Sequence, residues 1–297
     1  MGYILIVGRA EDACCQLVQE RLTSLGRETI FLQENQLFPG LRLVWHLDNG
    51  NSEGSVGQAR QTARLAEIDG VLARFSGFPV SAEEFQTADG QYLCSEWHAL
   101  MRGYLRALPC PVINRVPPEL WYKPSLSIPD LLSLVPGLKF KLPKTLVATR
   151  FEDARAFFHE CGGPIRYSPL TGLSNYLVDS EDSLAKLEAV SKLLPLCLSE
   201  VVPGEAVDAY VVGTGLIWDS AHPEVRPGGA LAEHCLEIAA SLGLAFCQFV
   251  LVRSRQDEWY CLGLSCMPDP ILCGDEVREK LTERLARTLM NGKGASL

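Results

Sequence analysis

The chain has 297 residues, 47% hydrophobic and 21% charged, with a formal net charge of −9. That mixture excludes long disorder and supplies core for one large domain or two to three small ones, while the acid excess argues against nucleic-acid binding, which rests on clustered Lys and Arg. No apolar run reaches the roughly 18 residues of a membrane span and no cleavable signal is present, so a soluble, cytoplasmic protein with neither nucleic acid nor membrane as partner is expected.

In chain order, YILIVG (3–8) reads as a buried strand, and apolar residues at helical spacing (Leu17, Val18, Leu22, Leu25) predict a helix ending at Gly26. ETIFLQ (28–33) is a second strand, LRLVWHLDNG (41–50) opens a hairpin with an Asn-Gly turn, and DGVLARFSGFP (69–79) is another strand. A helix over 91–108 leads into CPVINRVPP (110–118), a strand closed by a Pro pair. Gly8 alone is too little for a dinucleotide fingerprint, which needs three glycines near the turn. The middle third alternates strand and helix: 138–150, an amphipathic helix over 151–163 stopped by two glycines, a hairpin over 164–178 and a short helix over 184–195. After the stretch 196–220 come a Pro- and Gly-rich loop, a helix over 230–243, two strands (245–255 and 257–266) and a charged terminal helix over 276–290.

The eleven cysteines include no Cys-x-x-Cys pair with a His cluster, so they are expected to be free thiols buried as small apolar groups. Cys14 and Cys15, opening the first helix, raise the alternative of a thiol with lowered pKa; packing is the plainer reading. His46, His98, His159, His222 and His234 show no ligand spacing. The nearest constellation, Glu233-His234-Cys235, lies on consecutive helix positions that point to different faces. No metal and no cofactor are expected.

The most informative stretch is LCLSEVVPGEAVDAYVVGTGLIWDS (196–220). It resembles the hinge and following strand of an ATP-grasp ligase, with Glu200, Pro203, Gly204 and Glu205 in place. Supporting matches are VINRV (112–116) with Lys123 soon after, KLPKTLVATR (141–150), and SLGLAFCQFVLV (241–252). The resemblance covers essentially the whole chain, and the nearest branch looks like the graspetide or microviridin macrocyclases. It implies an ATP-grasp-like fold, α/β and α+β: a pre-grasp domain over 1–118, a small central domain over 119–200 and a C-terminal grasp domain over 201–297. A further resemblance, to the peptide-binding proteins of crocagin-type pathways, is carried by no single motif.

The same alignment shows departures. Ala206 and Asp208 stand where the family has Asp and Arg, Ser168 where it has a phosphate-contacting Lys, Val250 where it has a magnesium-holding Asp, and Gly263 and Ser265 where it has Glu and Asn. A hard cation binds oxygen ligands, and neither CQFVLV nor YCLGLSCMP offers a carboxylate. The link from Asp219 to Ala230 is short and leaves Arg226 as its one basic residue. The reading therefore leans away from an enzyme, toward a degenerate, truncated ATP-grasp homologue that binds a ribosomal precursor peptide and presents it to tailoring enzymes. The alternatives are a divergent ligase or other peptide-modifying enzyme with a relocated site, and a regulatory protein unrelated to natural products. The peptide is expected at the 164–178 hairpin, on Tyr167 and Tyr176, beside an acidic hinge of Glu200, Glu205 and Asp208. A homodimer, with Trp97 as a surface candidate, completes the expectation.

Overall fold

The computed structural model describes residues 2–36, 40–49, 51–75, 87–115, 120, 123–135, 137–170, 175–222, 225 and 227–291. The opening strand is β1 (Tyr3–Gly8), and its apolar run Ile4–Val7 is fully buried, as a strand covered on both faces requires. Helix α1 (Ala13–Ser24) begins where the Asp12 carboxylate accepts the Cys15 N–H at 3.2 Å, satisfying one of the helix's orphan donors. Strands β2 (Thr29–Gln33), β6 (Ile68–Ala73) and β7 (Val112–Ile113) complete a parallel sheet in the order β2-β1-β6-β7. Between β2 and β6, strands β3 (Leu41–Asp48), β4 (Asn51–Gln58) and β5 (Gln61–Arg64) form a separate antiparallel sheet. The β3–β4 turn starts at Asn49, with φ of 44°, a left-handed conformation that Asn tolerates; Gly50 lies outside the described residues. Helix α2 (Ala88–Ala107) sends Met101, Tyr104 and Leu105 into the N-terminal core. Trp97 packs partly buried against that same core.

The central unit is an antiparallel sheet with both its helices packed into one core. Strands β9 (Thr145–Ala148), β10 (Ile165–Ser168), β11 (Tyr176–Val178) and β12 (Leu196–Glu200) lie in the order β11-β10-β12-β9. Helices α4 (Phe151–Cys161) and α5 (Glu181–Ser191) bury Phe157, Leu184 and Leu187 against Ile165, Leu196 and Leu198. Gly162, the first of the two glycines expected to stop α4, caps it at φ 62°, where a side chain would be strained.

The C-terminal sheet contains β13 (Gly204–Val212), β14 (Gly215–Ser220), β15 (Phe246–Ser254) and β16 (Trp259–Ser265). It also contains β8 (Ser125–Leu126), which pairs with β16, giving the order β14-β13-β15-β16-β8. Helix α3 (Ile128–Leu134) buries Leu131 in the same C-terminal core. Residues 123–135, assigned above to the central domain, thus pack with the C-terminal layer, because Leu126 and Leu131 find their apolar partners there. Helix α6 (Gly229–Ser241) covers one sheet face through Cys235, Ile238 and Ala239. Helix α7 (Asp275–Met290) packs Leu281, Leu285 and Leu289 against Ile4 and Ile6 of β1 and Tyr210 of β13. It comes so close to β6 that a Cβ on Gly70 would stand 2.3 Å from the Leu289 carbonyl oxygen.

All eleven cysteines are free and nine are buried. Burial pushes the Cys14 thiol up to about 11 and Cys15 higher still, so the helix-terminus thiolate reading fails: desolvation outweighs the nearby Arg74. His234 is buried, with Nε2 accepting the Lys139 N–H at 3.0 Å and Nδ1 3.2 Å from Glu237 Oε2, which is a satisfied structural histidine. No helix among the described residues is long and apolar enough to cross a membrane.

The N- and C-terminal layers are joined by buried polar bonds. Asn114, directly after β7, donates through Nδ2 to the carbonyls of Phe246 at 2.6 Å and Cys266 at 2.9 Å, and its Oδ1 accepts the Phe246 N–H at 2.6 Å. Arg74, after β6, bonds Asp12 at 2.8 Å and the Pro268 carbonyl at 3.0 Å. Asn114→Ala strands three buried backbone groups, each worth roughly 1–3 kcal/mol when left unpaired. We expect it to lower unfolding free energy by about 3 kcal/mol or more, read from the urea midpoint at unchanged slope. A loss below about 1 kcal/mol would show that the two layers hold without it.

Candidate functional site between the central and C-terminal sheets

Side chains two apart on a strand share a face, so the C-terminal sheet presents ordered rows to the cleft. Strand pairing sets Asp219, Asp208, Val250 and Gly263 side by side, and Tyr210, Gln248 and Ser265 in the next row, where Tyr210 is already buried against α7 and β1. Of the six positions with altered residues, four lie in these two rows, Ala206 stands one row further out opposite Val252, and Ser168 on β10 meets Val250 across a small cavity. That cavity, about 60 Å³, is walled by Arg166, Ser168, Asn175, Cys197 and Ser199 from the central side and by Val250 and Leu262 from the other. Leu262 takes its place there because a bulge pairs Val250 with Gly263 but Leu251 with Cys261, leaving one residue over.

Arg166 was missed by the sequence reading. It shares the cleft face of β10 with Ser168, is half-buried, and its side chain makes no hydrogen bond or ion pair among the described residues. Burial lowers its pKa. The usable signal was strand alternation: Ile165 and Tyr167 are inward, so Arg166 and Ser168 must share the other side. Lys123 is engaged elsewhere, in an ion pair with Asp130. Burial alone would raise Asp130, but the bonds from Lys123 and Ser127 hold it below the usual carboxylate range.

The expected peptide-contacting residues do not form one patch. Tyr167 is only 8% exposed and packs in the central core, with the Tyr176 ring stacked on it at 5.9 Å and 27°. Tyr176 itself is 58% exposed. Glu200 accepts the Lys144 N–H at 2.9 Å, where the chain enters and leaves the central unit. Glu205 lies opposite Arg253 at the exposed start of β13. Three positions separate Glu205 from Asp208, so they point to opposite faces of the sheet. Arg226 and residues 171–174 of the hairpin lie outside the described residues.

The ATP-grasp resemblance implies a magnesium nucleotide at this cleft, and the side chains at the family's positions do not fit one held in the usual way. Val250 and Gly263 offer no oxygen ligand, no group of three His, Cys, Asp or Glu among the described residues could hold a metal, and the cavity is far smaller than the roughly 300–1,000 Å³ of ordinary ligand sites.

No family model matches the sequence, and no curated protein matches it as a relative. Solved structures do match the fold. Macrocyclase MdnC bound with precursor peptide MdnA, from Microcystis aeruginosa MRC, is 15% identical with a TM-score of 0.78, covering 98% of this chain and 100% of that one. A RiPP-associated ATP-grasp ligase of Chryseobacterium gregarium, in complex with ADP and a leader and core peptide, is 16% identical with a TM-score of 0.74, covering 98% and 97%. ATP-grasp ligase PsnB complexed with precursor peptide PsnA2 and AMPPNP is 19% identical with a TM-score of 0.72, covering 97% of each chain. The chain therefore has the ATP-grasp ligase fold along nearly its whole length.

One expectation is corrected by these matches. The altered residues led the sequence reading away from an enzyme, yet the solved proteins that share this architecture are ligases and a macrocyclase, two of them holding ADP or AMPPNP. Side chains missing at a handful of positions describe those positions and do not decide against catalysis by the fold that carries them.

Asp208 gives the cleft a measurable electrostatic signature. Burial pushes its carboxyl above the ordinary range, a hydrogen bond with Gln248 opposes this, and Asp219 pushes it further up. A carboxyl whose folded pKa exceeds its unfolded value of about 3.9 favours the native state at low pH and disfavours it as pH rises through the folded pKa. Asp208→Asn should therefore raise the melting temperature at about pH 7 and leave it unchanged near pH 3. A pH-independent difference between the two proteins would refute the burial argument.

Proposed function

We propose that this chain binds a ribosomally made precursor peptide along the outer edge of β11 and holds it at the cleft for modification in natural-product biosynthesis. The observation that carries the reading is β11 itself. It is the edge strand of the central sheet, and its Tyr176 and Leu177 are each 58% exposed. An open strand edge offers main-chain hydrogen bonds to an extended peptide, and a rigid aromatic supplies contact area at little entropic loss. Tyr167 contributes from beneath, by fixing the Tyr176 ring. The likeness to a macrocyclase and ligases solved with precursor, or leader and core, peptides supports a peptide as the ligand. Asp208, facing the cleft, suits a peptide carrying Lys or Arg, and tailoring enzymes of the same pathway are the further partners in this reading.

The test is fluorescence anisotropy with labelled peptides translated from whatever short reading frames flank this chain's gene. Tyr176→Ala should weaken binding by about tenfold, the loss of one aromatic anchor. Asp208→Arg should weaken it and flatten its dependence on salt. Wild-type protein that fails to bind the peptide sinks the proposal, and unchanged affinity in Tyr176→Ala removes β11 from it. Mass spectrometry of the peptide after incubation with the protein, ATP and magnesium separates binding from ligation, which would remove water. The dimer belongs to the same reading: Tyr92 and Leu93 of α2 and Val44 and Leu47 of β3 are exposed apolar residues, and light scattering should return twice the 32.7 kDa chain mass. A single-chain mass would exclude it.

A further inference from the structure

A roomy cavity lies away from the cleft. It holds about 780 Å³ and opens between the connection from α2 to β7 and the end of α6. Leu108, Pro109, Cys110, Pro111 and Val112 form one wall. Leu236, Ala240 and Leu244 form the other, and the β13–β14 turn, at Gly213 and Thr214, closes one side. This volume falls within the roughly 300–1,000 Å³ of small-molecule sites, and the walls have the apolar character such sites show.

One charge lies in this apolar wall. The Arg115 guanidinium donates from Nη1 to the Arg106 carbonyl at 2.7 Å and from Nη2 to the Leu108 and Cys110 carbonyls, both at 2.8 Å. These bonds cap the end of α2 and hold the guanidinium against the cavity. Three of the five N–H donors that a guanidinium carries are thus engaged, all by neutral carbonyls, and no carboxylate pairs with Arg115 among the described residues. The C-terminal end of α6 brings a partial negative charge of about half an electron to the opposite wall, less than the full charge on Arg115. The Leu242, Gly243 and Leu244 N–H groups already bond the Ile238, Ala240 and Ala239 carbonyls there.

We infer that this cavity is a binding site for an apolar carboxylic acid, with an aliphatic or aromatic body in the pocket and its carboxylate on the free edge of Arg115. A neutral apolar molecule would leave the half-buried cation uncompensated, and a small polar anion would leave the walls unfilled. The site is separate from the β11 edge and the cleft, so its fate is independent of the peptide reading.

The probe is 8-anilinonaphthalene-1-sulfonate, an aromatic anion that fluoresces in apolar surroundings, titrated into the full chain and competed with decanoate or with decanol. Saturable fluorescence is expected, with decanoate displacing the dye about tenfold better than decanol, the advantage of a charge-assisted contact. Ala240→Trp, which fills the cavity from an exposed helix position, should abolish both. Arg115→Gln should erase the preference for decanoate. Because that change also uncaps α2, Thr214→Glu serves as the second variant: it places a negative charge at the exposed rim and should weaken decanoate while sparing decanol. Dye that does not saturate, or that binds Ala240→Trp as it binds wild type, overturns the site. Equal competition by decanoate and decanol in wild type, or a preference unmoved by Thr214→Glu, overturns the role of the carboxylate.

Discussion

The side-chain amide of Asn114 is the constraint on which the rest of the arrangement depends. It ties the end of β7 to the first residue of β15 and to the residue that follows β16. Those two strands carry Gln248 and Val250, Gly263 and Ser265 into the cleft. Anchoring both at the same end fixes how far each row stands from the N-terminal sheet. The bonds are buried, so water cannot replace them, and Arg74 repeats the principle at the Pro268 carbonyl. Helix α7 adds apolar closure by packing on both layers at once.

Around that frame the molecule divides its surfaces by chemistry. The cleft is narrow and of mixed character, with the half-buried Arg166 guanidinium on the central side and the paired Asp208 and Asp219 on the C-terminal sheet beside Val250. The opposite region, near the end of α6, is roomy and apolar. The two regions draw on different parts of the chain, so a change in one need not disturb the other.

Much of this organisation was legible in the sequence. Apolar periodicity located the strands and helices, the Asn-Gly pair marked the β3–β4 hairpin, and the Pro-Gly turn marked the passage from β12 to β13. Most of the positions that depart from the ATP-grasp pattern fall on the C-terminal sheet, since strand register carries sequence spacing into space, while Ser168 stands on the central sheet across from Val250. What stayed hidden depended on distant partners. The place of β8 and α3 is decided by β16, more than a hundred residues later, and no local pattern reports that pairing. Arg166 is visible only through strand alternation, since it lies between the inward Ile165 and Tyr167 and belongs to no motif. The acidic hinge was read as one patch although Glu205 and Asp208 differ by an odd number of strand positions. Alternation also made Tyr167 inward, leaving Tyr176 as the exposed partner.

The crossings into and out of the central unit meet at one place. Lys144 and Glu200 exchange backbone and side-chain bonds there, with the Glu200 N–H on the Lys144 carbonyl at 3.0 Å and the Lys144 N–H on the Glu200 carboxylate at 2.9 Å. Just outside, Lys141 is stitched to β16 by backbone bonds to Trp259 and Cys261, each 2.9 Å. The central sheet shares no strand with its neighbours. It is thus a leaf carried at one crossing of the chain, and no strand pairing bridges the slot between Ser168 and Val250. The breadth of that slot is therefore set by how two separate sheets are held and not by a shared ladder.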